Sequence, residues 1–148
     1  MPFVPRLFIK TGVIYLALTF VLGALFLTLE AFGRPIPFTI AVEHGHMGFV
    51  GWLVNTVVGV ALWLLPVNRK AFPETQGRYP EKPARTAFAA LNAGLILRLV
   101  FEPVQSSHAS VVSSAALIAS AILQLGGILI VASIAWLRIY PLPNRPDV

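Results

Sequence analysis

The chain has 148 residues, of which 57% are hydrophobic and only 11% are charged, and its formal net charge is +5. Soluble domains average about 25% charged residues, so this composition predicts one domain embedded in a lipid bilayer. Because the chain has no cysteine, disulfides, iron–sulfur clusters and thiol catalysis are excluded. The basic residues flank apolar segments, which favours membrane-anchoring charge over binding of nucleic acid.

Four apolar segments predict an all-α fold, an integral membrane four-helix bundle made of a single domain, 1-148. We expect the spans at about 9-31, 40-66, 84-102 and 107-137. A helix needs roughly 20 residues to cross the hydrocarbon core, so the third segment is marginal and the fourth is long enough to tilt or project.

Proline-containing segments are expected to separate the spans. GRPIP (33–37) has two prolines and the polar segment 66–85 has four, and proline disfavours continued helix. The segment EPVQSSH (102–108) is expected to turn the chain into the last span, with Ser106 or Ser107 as the N-cap.

The basic residues predict how the bundle is oriented. Nine of the eleven fall at one end of the predicted bundle, and only Arg34 and Arg98 fall at the other. The positive-inside rule then predicts an up-down-up-down bundle with both termini cytoplasmic, in a bacterial-type inner (plasma) membrane. The nine residues are Arg6, Lys10, Arg69, Lys70, Arg78, Lys82, Arg85, Arg138 and Arg145.

Most of the other ionisable residues are expected to lie together near the outer face of the membrane. Ionisable groups in membrane spans are costly and indicate function by default. Arg98 precedes Glu102 by four residues, a spacing that predicts an ion pair. Arg98 could instead hold an anionic cofactor group, such as a haem propionate. The residues expected at this end are Glu30, Glu43, His44, His46, Arg98, Glu102 and His108.

The helical faces distinguish the two neighbouring histidines. On a regular helix His44 and His46 point about 200° apart. The stripe that continues from His44 consists of small residues, which let another helix or a flat ligand approach the backbone. At Gly59, Ala119 and Gly126 ordinary helix packing is expected. Asn55, Asn92 and Gln124 are expected to form hydrogen bonds between helices.

The pattern His46, Gly51-Trp52, Gly59 and Pro66 resembles the second-helix signature of haem-copper oxidase catalytic subunits and their nitric-oxide-reductase and NnrS-like relatives. The resemblance implies that His46 is an axial ligand of a low-spin haem. Gly48 departs from the pattern, since relatives often carry asparagine there. One chain also has too few helices and histidines for a haem-copper centre. The resemblance therefore implies a small haem-binding relative and leaves an oxidoreductase activity open.

The leading functional prediction is a protein that binds haem b, for electron transfer or for binding a small gas such as O2 or NO. Neutral imidazole is a standard haem ligand, and the candidates are His46, His44 and His108, with Arg98 beside them. The sequence does not choose between His44 and His46. A homodimer would double the number of histidines.

Two alternatives remain open. Glu43 and His46 form Glu-x-x-His, a ligand pair of carboxylate-bridged metal sites. A non-haem transition metal (iron, copper or zinc) could therefore be held by His44, His46, His108 and Glu43. The third possibility is an accessory subunit of a larger respiratory complex.

Overall fold

A computed structural model describes residues 1–139 as a bundle of four long helices. They are α1 (Phe3–Ala31), α2 (Phe38–Leu64), α3 (Glu81–Ser107) and α4 (Val111–Arg138), and each is long and apolar enough to cross a membrane. A short 3-10 helix, Pro73–Thr75, lies between α2 and α3. The predicted all-α membrane bundle is confirmed.

Two helix ends depart from the prediction by five or more residues: α1 begins at Phe3 and not near residue 9, and α3 extends beyond Pro103. The third span was expected to stop at residue 102, but α3 continues through this proline to Ser107. The hydroxyl groups of Ser106 and Ser107 donate hydrogen bonds to the Pro103 carbonyl at 2.9 and 3.0 Å. These serines therefore belong to α3, and the prediction that one of them caps the last helix is wrong.

Ser110 is the residue that caps α4. Its hydroxyl oxygen accepts a hydrogen bond from the Ser113 N–H at 3.1 Å. The Ser113 hydroxyl in turn accepts one from the Ser110 N–H, also at 3.1 Å, which completes a capping box. This reciprocal pair satisfies two backbone groups and fixes the start of α4.

The second helix is not a uniform α-helix. Its Phe38–His46 and Asn55–Leu64 parts are α-helical, whereas Met47–Val54 is π-helical. The side-chain nitrogen of Asn55 donates to the carbonyl oxygens of Val50 at 3.1 Å and Gly51 at 3.0 Å. The Asn55 side chain thus stabilises the C-terminal end of the π-helical segment. π-helical turns are rare and occur often at functional sites.

Consecutive helices run antiparallel, which gives the predicted up-down-up-down bundle. Contacts that pair the start of one helix with the end of the next establish this arrangement. They are Gly48 with Thr19 and Gly59 with Pro5 for α1 and α2, Glu43 with Arg98 and Asn55 with Asn92 for α2 and α3, and Gly94 with Ser120 and Gln105 with Ser114 for α3 and α4.

Two of the three amides expected to bond between helices do so. Asn55 and Asn92 bond to each other across the interface of α2 and α3. The prediction is wrong for Gln124, whose side-chain nitrogen donates to Ser120 of its own helix at 3.0 Å. Ser120 makes the interhelical bond instead, by donating to the Gly94 carbonyl at 2.7 Å.

The glycines show which helix faces meet. A Cβ atom on Gly59 would lie 2.7 Å from Ile9 Cγ1 and 2.9 Å from the Pro5 carbonyl oxygen, so the predicted packing role of Gly59 is confirmed. An added Cβ on Gly126 would meet nothing within 4 Å among the described residues, whereas one on Gly127 would lie 2.8 Å from Leu91 Cγ. The inward face of α4 is therefore offset by one residue, and the prediction is wrong for Gly126 and also for Ala119, which is exposed beside the buried Ser120.

The apolar core lies in the half of the bundle that contains the N-terminus. Arg138, the last residue of α4, is buried beside it with 1% of its surface exposed. Its guanidinium donates to the carbonyl oxygens of Leu62 at 2.8 Å, of Pro66 at 3.0 Å and of Leu65. These are carbonyls that the end of α2 leaves without helical partners. Arg138, expected only as anchoring charge, therefore caps α2.

The predicted separation of charge is also present. Of the nine basic residues expected at one end, Arg145 lies outside the described residues. The other eight lie at the end formed by the N-terminal part of α1, the segment between α2 and α3 with the start of α3, and the end of α4. The histidines and Arg98 lie toward the opposite end.

Candidate functional site

An ion cluster links α2 and α3 near the histidine-bearing end of the bundle. Arg98 Nε lies 2.8 Å from Glu102 Oε2 and 3.6 Å from Glu43 Oε1. The predicted pair of Arg98 and Glu102 is confirmed, and the contact with Glu43 joins two helices. With both carboxyls ionised, two negative charges face one positive charge.

Glu43 is the most buried member of this cluster. Its side chain is 6% exposed, compared with 33% for Arg98 and 27% for Glu102. Both carboxylate oxygens are buried without a hydrogen-bond partner among residues 1–139. A buried carboxylate without hydrogen bonds is destabilising in an apolar environment. The position of Glu43 therefore indicates a role other than packing.

His46 is held in an orientation suited to binding a metal or haem iron. Its Nδ1 lies 3.0 Å from the Val42 carbonyl oxygen and 3.8 Å from Glu43 Oε1. Because a carbonyl oxygen only accepts, Nδ1 carries the proton, and the neutral ring keeps its lone pair on Nε2. Metal-ligating histidines are usually oriented in this way, with the other ring nitrogen donating to a carbonyl or carboxylate.

His44, in contrast, is locked against α1. Its Nε2 donates to the Thr19 carbonyl at 2.9 Å, and its ring meets the Phe26 ring edge-on at a centroid distance of 5.4 Å. The two histidines thus face different partners, as their spacing predicted. The small-residue stripe that follows His44 is covered by α1, because an added Cβ on Gly51 would lie 2.6 Å from Tyr15 Cγ.

His108 lies just beyond α3, at the exposed turn into α4. Its backbone N–H donates to the Val104 carbonyl at 2.7 Å and ends the helix. The three histidines share one end of the bundle but do not converge. Within residues 1–139 no group of three or more His, Asp or Glu side chains is positioned to hold a metal ion.

Two cavities flank the ion cluster. One, of about 320 Å³, is lined by Glu43 and His44 and by apolar side chains of α1, α2 and α3. The other, a groove of about 450 Å³, is lined by Arg98, Glu102 and Gln105. Sequence reasoning found the charged residues but missed the contact between Glu43 and Arg98, since it depends on how α2 and α3 pack.

The fold and these contacts define a four-helix membrane protein with a partly buried ion cluster and histidines at one end of the bundle. The chain matches no protein-family model, no curated protein and no solved structure. The resemblance of its second helix to haem-copper oxidase relatives therefore stays a prediction.

Proposed function

We propose that this protein binds haem b in the membrane through His46, for electron transfer or for binding a small gas. The observation that carries the proposal is the hydrogen bond from His46 Nδ1 to the Val42 carbonyl at 3.0 Å. It leaves Nε2 with a lone pair that is free to bind iron, on a side chain that is 29% exposed. The resemblance of the surrounding helix to a known haem helix points to the same residue.

The contacts of His44 favour His46 as the ligand. His44 Nε2 is used in the bond to Thr19 on α1, and the ring packs against Phe26. A haem at His44 would have to displace these contacts with α1. Among residues 1–139, no hydrogen bond engages Nε2 of His46.

Other residues at this end are suited to help hold the group. The Nη atoms of Arg98 donate no hydrogen bond within residues 1–139, and Arg98 lines the 450 Å³ groove. These donors could bind a propionate. Glu43, 3.8 Å from His46 Nδ1, can help orient the imidazole.

The second axial position distinguishes the two proposed activities. Bound haem iron supplies one-electron chemistry, and a vacant axial position supplies gas binding. Because the histidines of one chain do not converge, a histidine from a second copy in a homodimer would be needed as the second ligand, in place of the predicted His108. One chain has too few histidines for a haem-copper centre, so we propose electron transfer or gas binding and not oxygen reduction.

We propose further that the histidine-bearing end faces the outside of a bacterial plasma membrane. The support is the segregation of basic residues to the opposite end, which the positive-inside rule assigns to the cytoplasm. Haem bound there would lie close to the outer surface, within reach of partner proteins of a respiratory complex.

The non-haem alternative receives less support from the geometry. It requires several protein ligands, and His44 has its Nε2 engaged by Thr19 while His108 is at the exposed turn. A haem site requires only one protein ligand with a free nitrogen, which His46 provides. An accessory-subunit role is compatible with the haem proposal.

The proposal is tested by haem content. Full-length protein is purified from cells supplied with a haem precursor, and its haem is measured as the pyridine haemochrome. We expect the wild type to carry haem, His46→Ala to lose most of it, and His44→Ala, the matched control two residues away, to keep it. Wild-type protein without haem, or loss in His44→Ala alone, would contradict the proposal.

A further inference from the structure

The cavity of about 320 Å³ beside Glu43 has the features of a separate binding site. Its volume lies at the lower end of the range of about 300–1,000 Å³ typical of small-molecule sites. Leu22 and Phe26 of α1 line it on one side, and Leu99 and Pro103 of α3 line it on another. His46 does not line it, although Glu43, which does, lies 3.8 Å from His46 Nδ1.

The polar groups around this cavity accept hydrogen bonds. The Glu43 oxygens are buried and accept no hydrogen bond from residues 1–139, although Oε1 lies 3.6 Å from Arg98 Nε. His44 donates through Nε2 to Thr19, so its Nδ1 is an acceptor in the neutral ring. Pro103 has no N–H to donate to the Leu99 carbonyl four residues earlier. Three of the lining residues therefore offer acceptors, and none of the lining side chains offers a free donor.

The charge around the cavity is also unbalanced. Glu43 and Glu102 flank Arg98 at 3.6 and 2.8 Å, which leaves one net negative charge when both carboxyls are ionised. A neutral His46, with its one proton on Nδ1 in the hydrogen bond to Val42, adds no charge to the cluster. A ligand with one positive charge and several donors would neutralise the cluster and satisfy the acceptors.

We propose that this cavity binds a small amine, whose protonated ammonium group donates to Glu43 and whose apolar body fills the space beside Phe26. An ammonium carries three donors and no acceptor, which matches the acceptors offered by Glu43, His44 and Leu99. The aromatic ring of Phe26 provides further attraction for a cation.

The test uses 2-phenylethylammonium as the probe and 2-phenylethanol as its uncharged counterpart. Calorimetric titration of the full-length protein in lipid nanodiscs, with empty nanodiscs subtracted, measures binding of each. We expect saturable binding of the ammonium and at least tenfold weaker binding of the alcohol. Binding should fall at least tenfold in Glu43→Gln and stay unchanged in Glu30→Gln, a matched control at an exposed glutamate near the same end.

A second variant separates loss of the site from loss of the fold. Leu22→Trp fills the cavity without altering the carboxylate, and it should also abolish binding of the ammonium. The proposal is overturned if the ammonium shows no saturable binding, if the alcohol binds as tightly, or if folded Glu43→Gln or Leu22→Trp protein binds like the wild type.

Discussion

Asn55 of α2 and Asn92 of α3 exchange hydrogen bonds across a buried helix interface. Asn92 Nδ2 donates to Asn55 Oδ1 at 3.0 Å, and Asn55 Nδ2 donates to Asn92 Oδ1 at 3.3 Å. Both side chains are almost fully buried. The pair joins Asn55, the residue directly after the π-helical part of α2, to the middle of α3, so it helps to fix the register that brings Glu43 to Arg98.

The asparagine pair should show coupled stability. In a double-mutant cycle with Asn55→Leu and Asn92→Leu, we expect a coupling free energy of about 0.6 kcal/mol, and up to about 1.7 kcal/mol, the range found for hydrogen bonds between membrane helices. Asn55→Leu should be the more destabilising single change, since it also removes the bonds to Val50 and Gly51. Reversible unfolding in mixed micelles measures both quantities, and strictly additive changes would contradict the pairing.

Gly59 and Gly126 should respond differently to the same substitution. Gly59→Ala places a methyl group 2.7 Å from Ile9 Cγ1, and overpacking of this kind costs about 1–3 kcal/mol. Gly126→Ala meets nothing within 4 Å among residues 1–139 and should stabilise α4 by up to about 1 kcal/mol through helix propensity. Equal free energies of unfolding for the two variants would contradict the observed packing of α1 against α2.

Arg138 should be required for stability, not only for orientation. Arg138→Met leaves three carbonyl oxygens at the end of α2 without their donor, and each buried acceptor left unsatisfied costs about 1–3 kcal/mol. Arg138→Lys should be intermediate, because an ammonium lacks the planar fork of donors. Arg69→Met, at an exposed arginine, is the matched control and should change the free energy of unfolding little.

The proposed orientation can be tested with single cysteines, because the chain contains none. Gly77 is a poor site for a label, since its φ of +87° and its contacts with Asn68 and Arg69 disfavour a side chain. Glu74 and Phe32 are exposed and lie at opposite ends of the bundle. An impermeant thiol reagent added to intact cells should label Phe32→Cys but not Glu74→Cys, and the reverse result would invert the topology.

Hydropathy and proline positions were sufficient to predict the four helices and their order. A proline in the sequence does not reveal whether a helix stops or continues, and for this reason the end of α3 was placed before Pro103. The π-helical turn in α2 is likewise not encoded by a local pattern. It is accompanied by hydrogen bonds from Asn55, whose partner Asn92 is 37 residues away.

The candidate site was predicted only in part for a similar reason. Spacing along one helix predicted the pair of Arg98 and Glu102 and the divergence of His44 and His46. Contacts between helices, such as Glu43 with Arg98 or Arg138 with the end of α2, depend on the rotation of each helix about its axis. Hydropathy constrains this rotation weakly in a membrane protein, because lipid-facing and buried residues are both apolar.

The proposal that His46 binds haem iron is tested most directly by replacing its side chain and supplying imidazole. His46→Gly should lose the Soret band of the wild-type protein, and added imidazole should restore both the band and the haem content by acting as a free ligand. His44→Gly should keep its haem, and imidazole should leave its spectrum unchanged. A His46→Gly protein with the wild-type spectrum in the absence of imidazole, or a wild-type protein with no Soret band, would contradict the proposal.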